Sequence, residues 1–316
     1  MNIAIALNEN YYYCTYVMLL SLFENNRNSD IEVFIMYNLL CDEYKEEFQK
    51  LSSRFSQKIS FVDMSEIKFP EDLPSTTQWP VEIYYRLALQ DILPEEVDRV
   101  LYLDTDVIVN GDISEFYNSD FKGKSFVGVQ DYYINKNGLY SQQKQLLGQI
   151  IEEKPDYVYF NSGVLLMNLK KLRGLVSLNV YLEAIREIRH FLFCFDQDLL
   201  NFLFYDDILL DDSERINLPA HFFYEEGKGY EWIAENGLLI HFTGKKPWSS
   251  DSVRFETERL WWEYAKKTPY YIELMEKVFF GEMEASYAHG ILSKMSAENE
   301  ELSKTLKKIK KIYFGG

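Results

Sequence analysis

The sequence predicts an α/β fold around a mostly parallel sheet. Short apolar runs recur along the first third of the chain, each closed by polar residues. Segments with helical spacing separate them. Strands that alternate with helices pair in parallel through crossovers, and the helices then cover both faces of the sheet.

The elements follow in chain order. "NIAIAL" (2–7) is a buried strand, and "YVMLLSLFENN" (16–26) is a helix with Val17, Leu20, Leu22 and Phe23 at helical spacing. "IEVFIMYN" (31–38) is a second strand. "CDEYKEEFQKLSSRF" (41–55) is an amphipathic helix that puts Tyr44, Phe48 and Leu51 on one face. "KISFVDM" (58–64) is a third strand. After a proline-bearing loop, "EIYYRLALQDIL" (82–93) reads as a helix and "RVLYLDTDVIV" (99–109) as a fourth strand. Beyond Gly111 the pattern loosens. "SFVGVQD" (125–131), "YFNSGVLLMNL" (159–169) and "GLLIHFTGKKPW" (237–248) contain strands; "VYLEAIREIRHFL" (180–192) and "DQDLLNFLFY" (196–205) are helical. From about Ser250 the chain is mostly helical. Residues 1–250 are expected to form one domain, and 251–316 a helical extension.

The chain has 316 residues, 47% of them hydrophobic, enough for a large single core. A net charge of −17 argues against a nucleic-acid partner. Cys14, Cys41 and Cys194 stand far apart with no CxxC, and the first residues lack a basic n-region. Both features suit a reduced, cytoplasmic protein. No window approaches the roughly 18 apolar residues of a membrane span.

The chemistry concentrates in "RVLYLDTDVIVNGD" (99–112). An apolar strand ends on Asp104 and Asp106, one residue apart. In open α/β sheets, ligands bind beyond the carboxyl ends of strands. Alternation places both carboxylates on one side of an extended chain. Two such groups are costly together unless one is protonated or a cation joins them. Hard oxygens suit Mn²⁺ or Mg²⁺, which in turn hold phosphate; a surface turn would also place Asp here. His241 ends a second apolar strand and is a third candidate ligand that favours Mn²⁺. Gly244, Lys245 and Lys246 follow it, residue types that admit and neutralise phosphate. Asp198, by contrast, reads as an ordinary acid in a helix first turn.

The motifs "IAIALNENYY", "YYRLAL", "VLYLDTDVIV", "FNSGVLLMNLKKLR", "FDQDLLN" and "HFTGKKPW" occur in that order over residues 2–250. Together they resemble glycosyltransferase family 8, the retaining transferases that use UDP-glucose, UDP-galactose and related donors. The resemblance implies a nucleotide-diphosphosugar transferase (GT-A type) sandwich. It implies Asp104, Asp106 and His241 as Mn²⁺ ligands. Asn8, Asn10 and Tyr11 would hold uridine, with a backbone contact from Thr105. Arg86 would bridge donor groups, and Asp131, Asn161, Asp196 and Gln197 would surround the donor sugar. Gly244 and either Lys245 or Lys246 would meet the diphosphate; the family often has one more residue between that glycine and its lysine.

The expected reaction moves a hexose from UDP to a glycan, lipid-linked or glycoprotein acceptor with retention. Gln197 stands where a nucleophile is expected, which favours front-face attack over double displacement, with Gln197 and Asp196 stabilising positive charge. Two alternatives remain: a non-catalytic glycan-binding relic of the fold, and an aspartyl-phosphate phosphohydrolase. The latter carries its DxD on the first strand, whereas here three strands precede it.

The tail from Glu298 to Phe314 places Leu302, Leu306, Ile309 and Tyr313 on one helical face, among lysines. Such a basic amphipathic helix reads as peripheral contact with the inner face of the membrane. Self-association through a short coiled coil is the alternative.

Overall fold

The structure is a computed structural model, and it describes residues 1–76, 80–249, 255–281 and 283. Among the described residues, ten strands form two sheets. The larger contains β1 (Asn2–Leu7), β2 (Glu32–Tyr37), β3 (Lys58–Asp63), β4 (Arg99–Leu103), β6 (Phe126–Gln130), β7 (Phe160–Asn168) and β8 (Ile208–Leu210). Its order is β3-β2-β1-β4-β7-β6-β8. The first four strands are mutually parallel, whereas β7 runs antiparallel to both β4 and β6. The smaller sheet has the order β5-β10-β9, built from β5 (Val107–Val109), β9 (Leu218–Pro219) and β10 (Leu239–His241).

Alternation sorts the core. Ile3, Ile5 and Leu7 of β1, with Leu101 and Leu103 of β4, face the helices Tyr12–Asn25 and Asp42–Arg54. Ala4, Val100 and Tyr102 face the opposite layer, which contains the helices Leu178–Ile188 and Asp196–Phe204. Helix Tyr12–Asn25 is buried nearly all round because it lies between the two sheets. Its Val17 packs with Ile108, Phe242 and Trp261 in a further cluster. That cluster ties the helix Arg259–Ala265 to the smaller sheet, and the Trp248 ring leans on Trp261 at 4.9 Å between centroids.

Two expectations are corrected. The run 99–109 is not one strand: it breaks at Asp104–Asp106, where a turn closed by Val107 N–H donating to the Asp104 carbonyl (3.3 Å) moves the chain from the larger sheet to the smaller. Segment 82–93 is not one α-helix. Val81–Ala88 is a 3-10 helix, and only Leu89–Ile92 is α-helical. The tighter winding stacks residue i over i+3. Arg86 Nε thereby reaches the Ile83 carbonyl at 3.1 Å, with its guanidinium turned inward. Among the described residues, no helix is long and apolar enough to cross a membrane. The basic tail 298–316 lies outside the described residues.

Candidate active site

Beyond the carboxyl ends of β1 and β4 lies a cavity of about 900 Å³. Asn8, Tyr11, Arg86, Asp104, Thr105 and Asp106 border it, as do Asp131, Asn161, Asp196 and Gln197. His241, Gly244, Lys245 and Lys246 complete the side reached from β10. Asn10 does not line it; it is exposed, and its N–H donates to Asn8 Oδ1 at 3.1 Å, capping a single 3-10 turn.

The carboxylate pair sits at the break between β4 and β5. Antiparallel pairing of β5 with β10 sets His241 opposite Val107, one residue past Asp106. His241 Nε2 lies 3.0 Å from Asp106 Oδ1 and 3.8 Å from Asp104 Oδ2. Ligand atoms of the three residues fall within 4.8 Å of one another. Each acid also has a cationic neighbour. Lys246 Nζ donates to Asp106 Oδ2 and to the Phe242 carbonyl. Burial alone would raise the Asp106 pKa, but Lys246 and His241 outweigh it and hold the group well below the usual carboxylate range. Asp104 Oδ1 accepts from Arg86 Nη2 at 2.9 Å and from the Tyr102 hydroxyl at 3.1 Å.

Two oxygen donors and one imidazole nitrogen, converging on one point, fit a divalent ion such as Mn²⁺. The backbone behind them is shaped for it. A Cβ on Gly163 would lie 2.4 Å from Asp104 Oδ2 and 2.5 Å from the His241 ring. The "FNSG" glycine is therefore the floor on which two candidate ligands rest.

Arg86 is 4% exposed and carries more than one bond. It pairs with Asp196 Oδ2 at 3.2 Å, donates to the Ser162 carbonyl at 2.6 Å and lies over the Tyr102 ring at 4.2 Å. Burial opposes its charge, but Asp104 and Asp196 reverse that effect and keep it protonated. Asp196 is buried at the cavity wall, and burial outweighs Arg86 to push its pKa up to about 6.

Gln197 is locked from both ends. Its Oε1 accepts from Ser162 N–H and from Asn161 Nδ2, each at 3.0 Å. Its Nε2 donates to Asp131 Oδ2 at 3.1 Å. Asp131 caps the helix Tyr132–Asn137 through its other oxygen, which accepts from Ile134 N–H at 3.0 Å.

Several contributors escaped the sequence reading. Asp198 is not an ordinary first-turn acid. It is fully buried, and one oxygen accepts from both Phe193 N–H and Cys194 N–H at 2.6 Å. The other oxygen accepts from the Tyr159 hydroxyl at 2.5 Å and from Gln143 at 2.7 Å. It thus anchors the loop that presents Asp196 and Gln197, whose Phe195 has φ +46°, a conformation L side chains seldom adopt. Asn217, bonded to His241 and also at positive φ, was likewise missed.

The model for glycosyl transferase family 8 matches residues 2–252. The chain belongs to glycosyltransferase family 8. It is accordingly an enzyme of glycosyl transfer, and the phosphohydrolase reading is set aside. Lipopolysaccharide 1,2-glucosyltransferase of Escherichia coli is 28% identical over 256 residues, which span 78% of this chain and 73% of that one. Lipopolysaccharide 1,3-galactosyltransferase of Salmonella typhimurium is 24% identical, over 79% and 73% respectively. Among solved structures, the galactosyltransferase LgtC in complex with donor and acceptor sugar analogues superposes with a TM-score of 0.68 at 22% identity, covering 85% of this chain and 96% of that one. The fold is that of these GT-A family 8 enzymes.

Two outcomes are expected. Gly163→Ala forces Asp104 and His241 apart and destabilises the fold by about 1–3 kcal/mol in urea denaturation; unchanged stability would show that the floor yields. The Asp196 carboxyl titrates from an unfolded value near 3.8 to a folded value of about 6, so the folded state holds the extra proton between the two. Its contribution to stability is therefore present below pH 4 and lost as pH rises to 6. Relative to wild type, Asp196→Asn should gain stability across that window, measured as the difference in unfolding free energy at the two pH values.

Proposed function

We propose that this chain transfers a hexose, glucose or galactose, from a UDP-sugar to a glycan, lipid-linked or glycoprotein acceptor, with retention and with Mn²⁺ as its metal. The observation that carries the reading is the Asp104, Asp106 and His241 group on the wall of the large cavity. Relatives named for glucosyl and galactosyl transfer support the choice of hexose.

In this reading Asn8 and Tyr11, which line the cavity, hold the uridine, Thr105 touches it through its backbone, and Gly244 lets the chain approach the diphosphate. A divalent ion held by Asp104, Asp106 and His241 supplies Lewis acidity at the diphosphate. Lys246, already directed into the site, adds positive charge there, with Lys245 beside it. Arg86 keeps Asp104 and Asp196 in fixed relation. Asp131, Asn161, Asp196 and Gln197 hold the donor sugar. The acceptor hydroxyl attacks the anomeric carbon on the face the diphosphate leaves: the new C–O bond forms as the old one breaks, and the hydroxyl proton passes to the departing phosphate oxygen. Gln197, a neutral amide whose oxygen already accepts two hydrogen bonds, is a poor nucleophile, which supports front-face attack.

We place this catalysis in residues 1–250, with 251–316 as an extension whose basic tail brings the enzyme to the inner face of the membrane, in the cytoplasm.

The test is UDP release from UDP-glucose and UDP-galactose, with an acceptor screen. Asp106→Ala should lower turnover roughly 10²–10³-fold or more while circular dichroism stays native. Proton NMR of the early product should show the α anomer. Full activity in excess chelator, or a β product, rejects the reading.

A further inference from the structure

A line of side-chain amides runs from the candidate metal ligands to the residues around the proposed sugar position. It begins at Asn217, which is 3% exposed and immediately precedes β9. Parallel pairing of β9 with β10 sets Leu218 opposite Ile240 and Pro219 opposite His241, and from two residues before Pro219 the Asn217 side chain reaches the histidine. Its Oδ1 is 2.7 Å from His241 Nδ1. Its Nδ2 donates to Asn161 Oδ1 at 2.9 Å.

The direction of these bonds follows from chemistry. Asn161 Oδ1 also accepts the Gly163 backbone N–H at 2.9 Å, and a backbone N–H can only donate. The Asn217 atom facing that oxygen is therefore its NH₂, and the atom facing His241 is its carbonyl oxygen. A carbonyl oxygen can only accept, so His241 carries a proton on Nδ1. Nε2 is left as the atom directed at Asp106 and Asp104. Asn161 continues the line, donating through Nδ2 to Gln197 Oε1 at 3.0 Å and to Asp131 Oδ2 at 3.2 Å.

We propose that Asn217 is the positioning residue of the metal centre: its amide holds His241 in the Nδ1–H form with Nε2 aimed at the ion, and ties that imidazole through Asn161 to Gln197 and Asp131. The role rests on the metal-centre reading above. Residues behind a metal-binding histidine fix its tautomer and ring orientation, and losing them typically costs 10–100-fold in affinity. The backbone agrees with the assignment. Asn217 has φ +53°, a region that Asn, Asp and Gly accept more readily than other residues. The residue is thus selected twice, for its conformation and for an amide that accepts on one side and donates on the other.

The left-handed backbone also supplies clean variants. Asn217→Gly keeps the conformation and removes the amide. Asn217→Asp keeps an acceptor for His241 Nδ1–H but sets a carboxylate oxygen against Asn161 Oδ1. Mn²⁺ affinity of the full chain is measured by titration calorimetry, and the His241 tautomer by ¹⁵N NMR of histidine-labelled protein. Asn217→Gly should bind Mn²⁺ 10–100-fold more weakly and lose the uniform Nδ1–H signature, with native circular dichroism. Asn217→Asp should keep Mn²⁺ affinity within a few-fold and keep the tautomer, yet lower kcat by disturbing Asn161. Wild-type affinity in Asn217→Gly, while Asp106→Ala abolishes binding, overturns the role of Asn217 and leaves the metal centre standing. Wild-type protein that fails to bind Mn²⁺ overturns both.

Discussion

The site depends on a buried arginine. Removing a guanidinium from water costs several kcal/mol unless anions and carbonyls replace the lost hydration. Arg86 finds Asp104 at the end of β4, the Ser162 carbonyl on β7 and Asp196 at the start of a helix. Its planar fork lets one side chain serve all three. These anchors come from elements far apart in sequence, so one ion cluster sets their mutual distances. Truncating Arg86 would leave buried Asp196 and partly exposed Asp104 without their shared cation.

The second constraint is the break between β4 and β5. A continuous strand would have carried Asp106 onward in the middle of the larger sheet, between β1 and β7. Instead the turn at Asp104–Asp106 moves the chain to the smaller sheet, whose pairing brings His241 alongside. Gly163 on β7 then allows Asp104 and His241 to approach its bare Cα. Electrostatics and backbone shape thus act on the same few atoms. The amide line through Asn217, Asn161 and Gln197 extends this order to Asp131. Buried polar networks with their members satisfied favour one arrangement, because each alternative strands a donor or acceptor.

Charge explains why so much cation is gathered here. A chain of net charge −17 repels a doubly anionic diphosphate at long range. Arg86 and Lys246 offset the two acids of the break, and a bound divalent ion would tip the local balance toward positive. At this one position two acids and a histidine form a group that fits a divalent ion, which would attract an anion that the rest of the chain repels.

The strands 2–7, 31–38 and 58–64, their parallel arrangement and the grouping of the DxD acids with His241 were legible in the sequence. Periodicity and residue type are local properties, and the six ordered motifs made the family legible as well. What local pattern could not contain was long-range geometry. The apolar letters on either side of Asp104 and Asp106 look like one strand, because β4 and β5 are equally buried and differ in their partners alone. Arg86 is placed in the site by the family resemblance, but its pairing with Asp196, 110 positions away in numbering, is set by the fold. Asp198 looks like a first-turn acid until the loop before it folds back onto its carboxylate. Asn217 carries no motif. The sequence by itself determined which side chains could bind metal and phosphate and on which strand ends they would stand. Only the tertiary structure decided which of them meet, because burial makes each polar group seek a partner and the partner is chosen by packing, not by position along the chain.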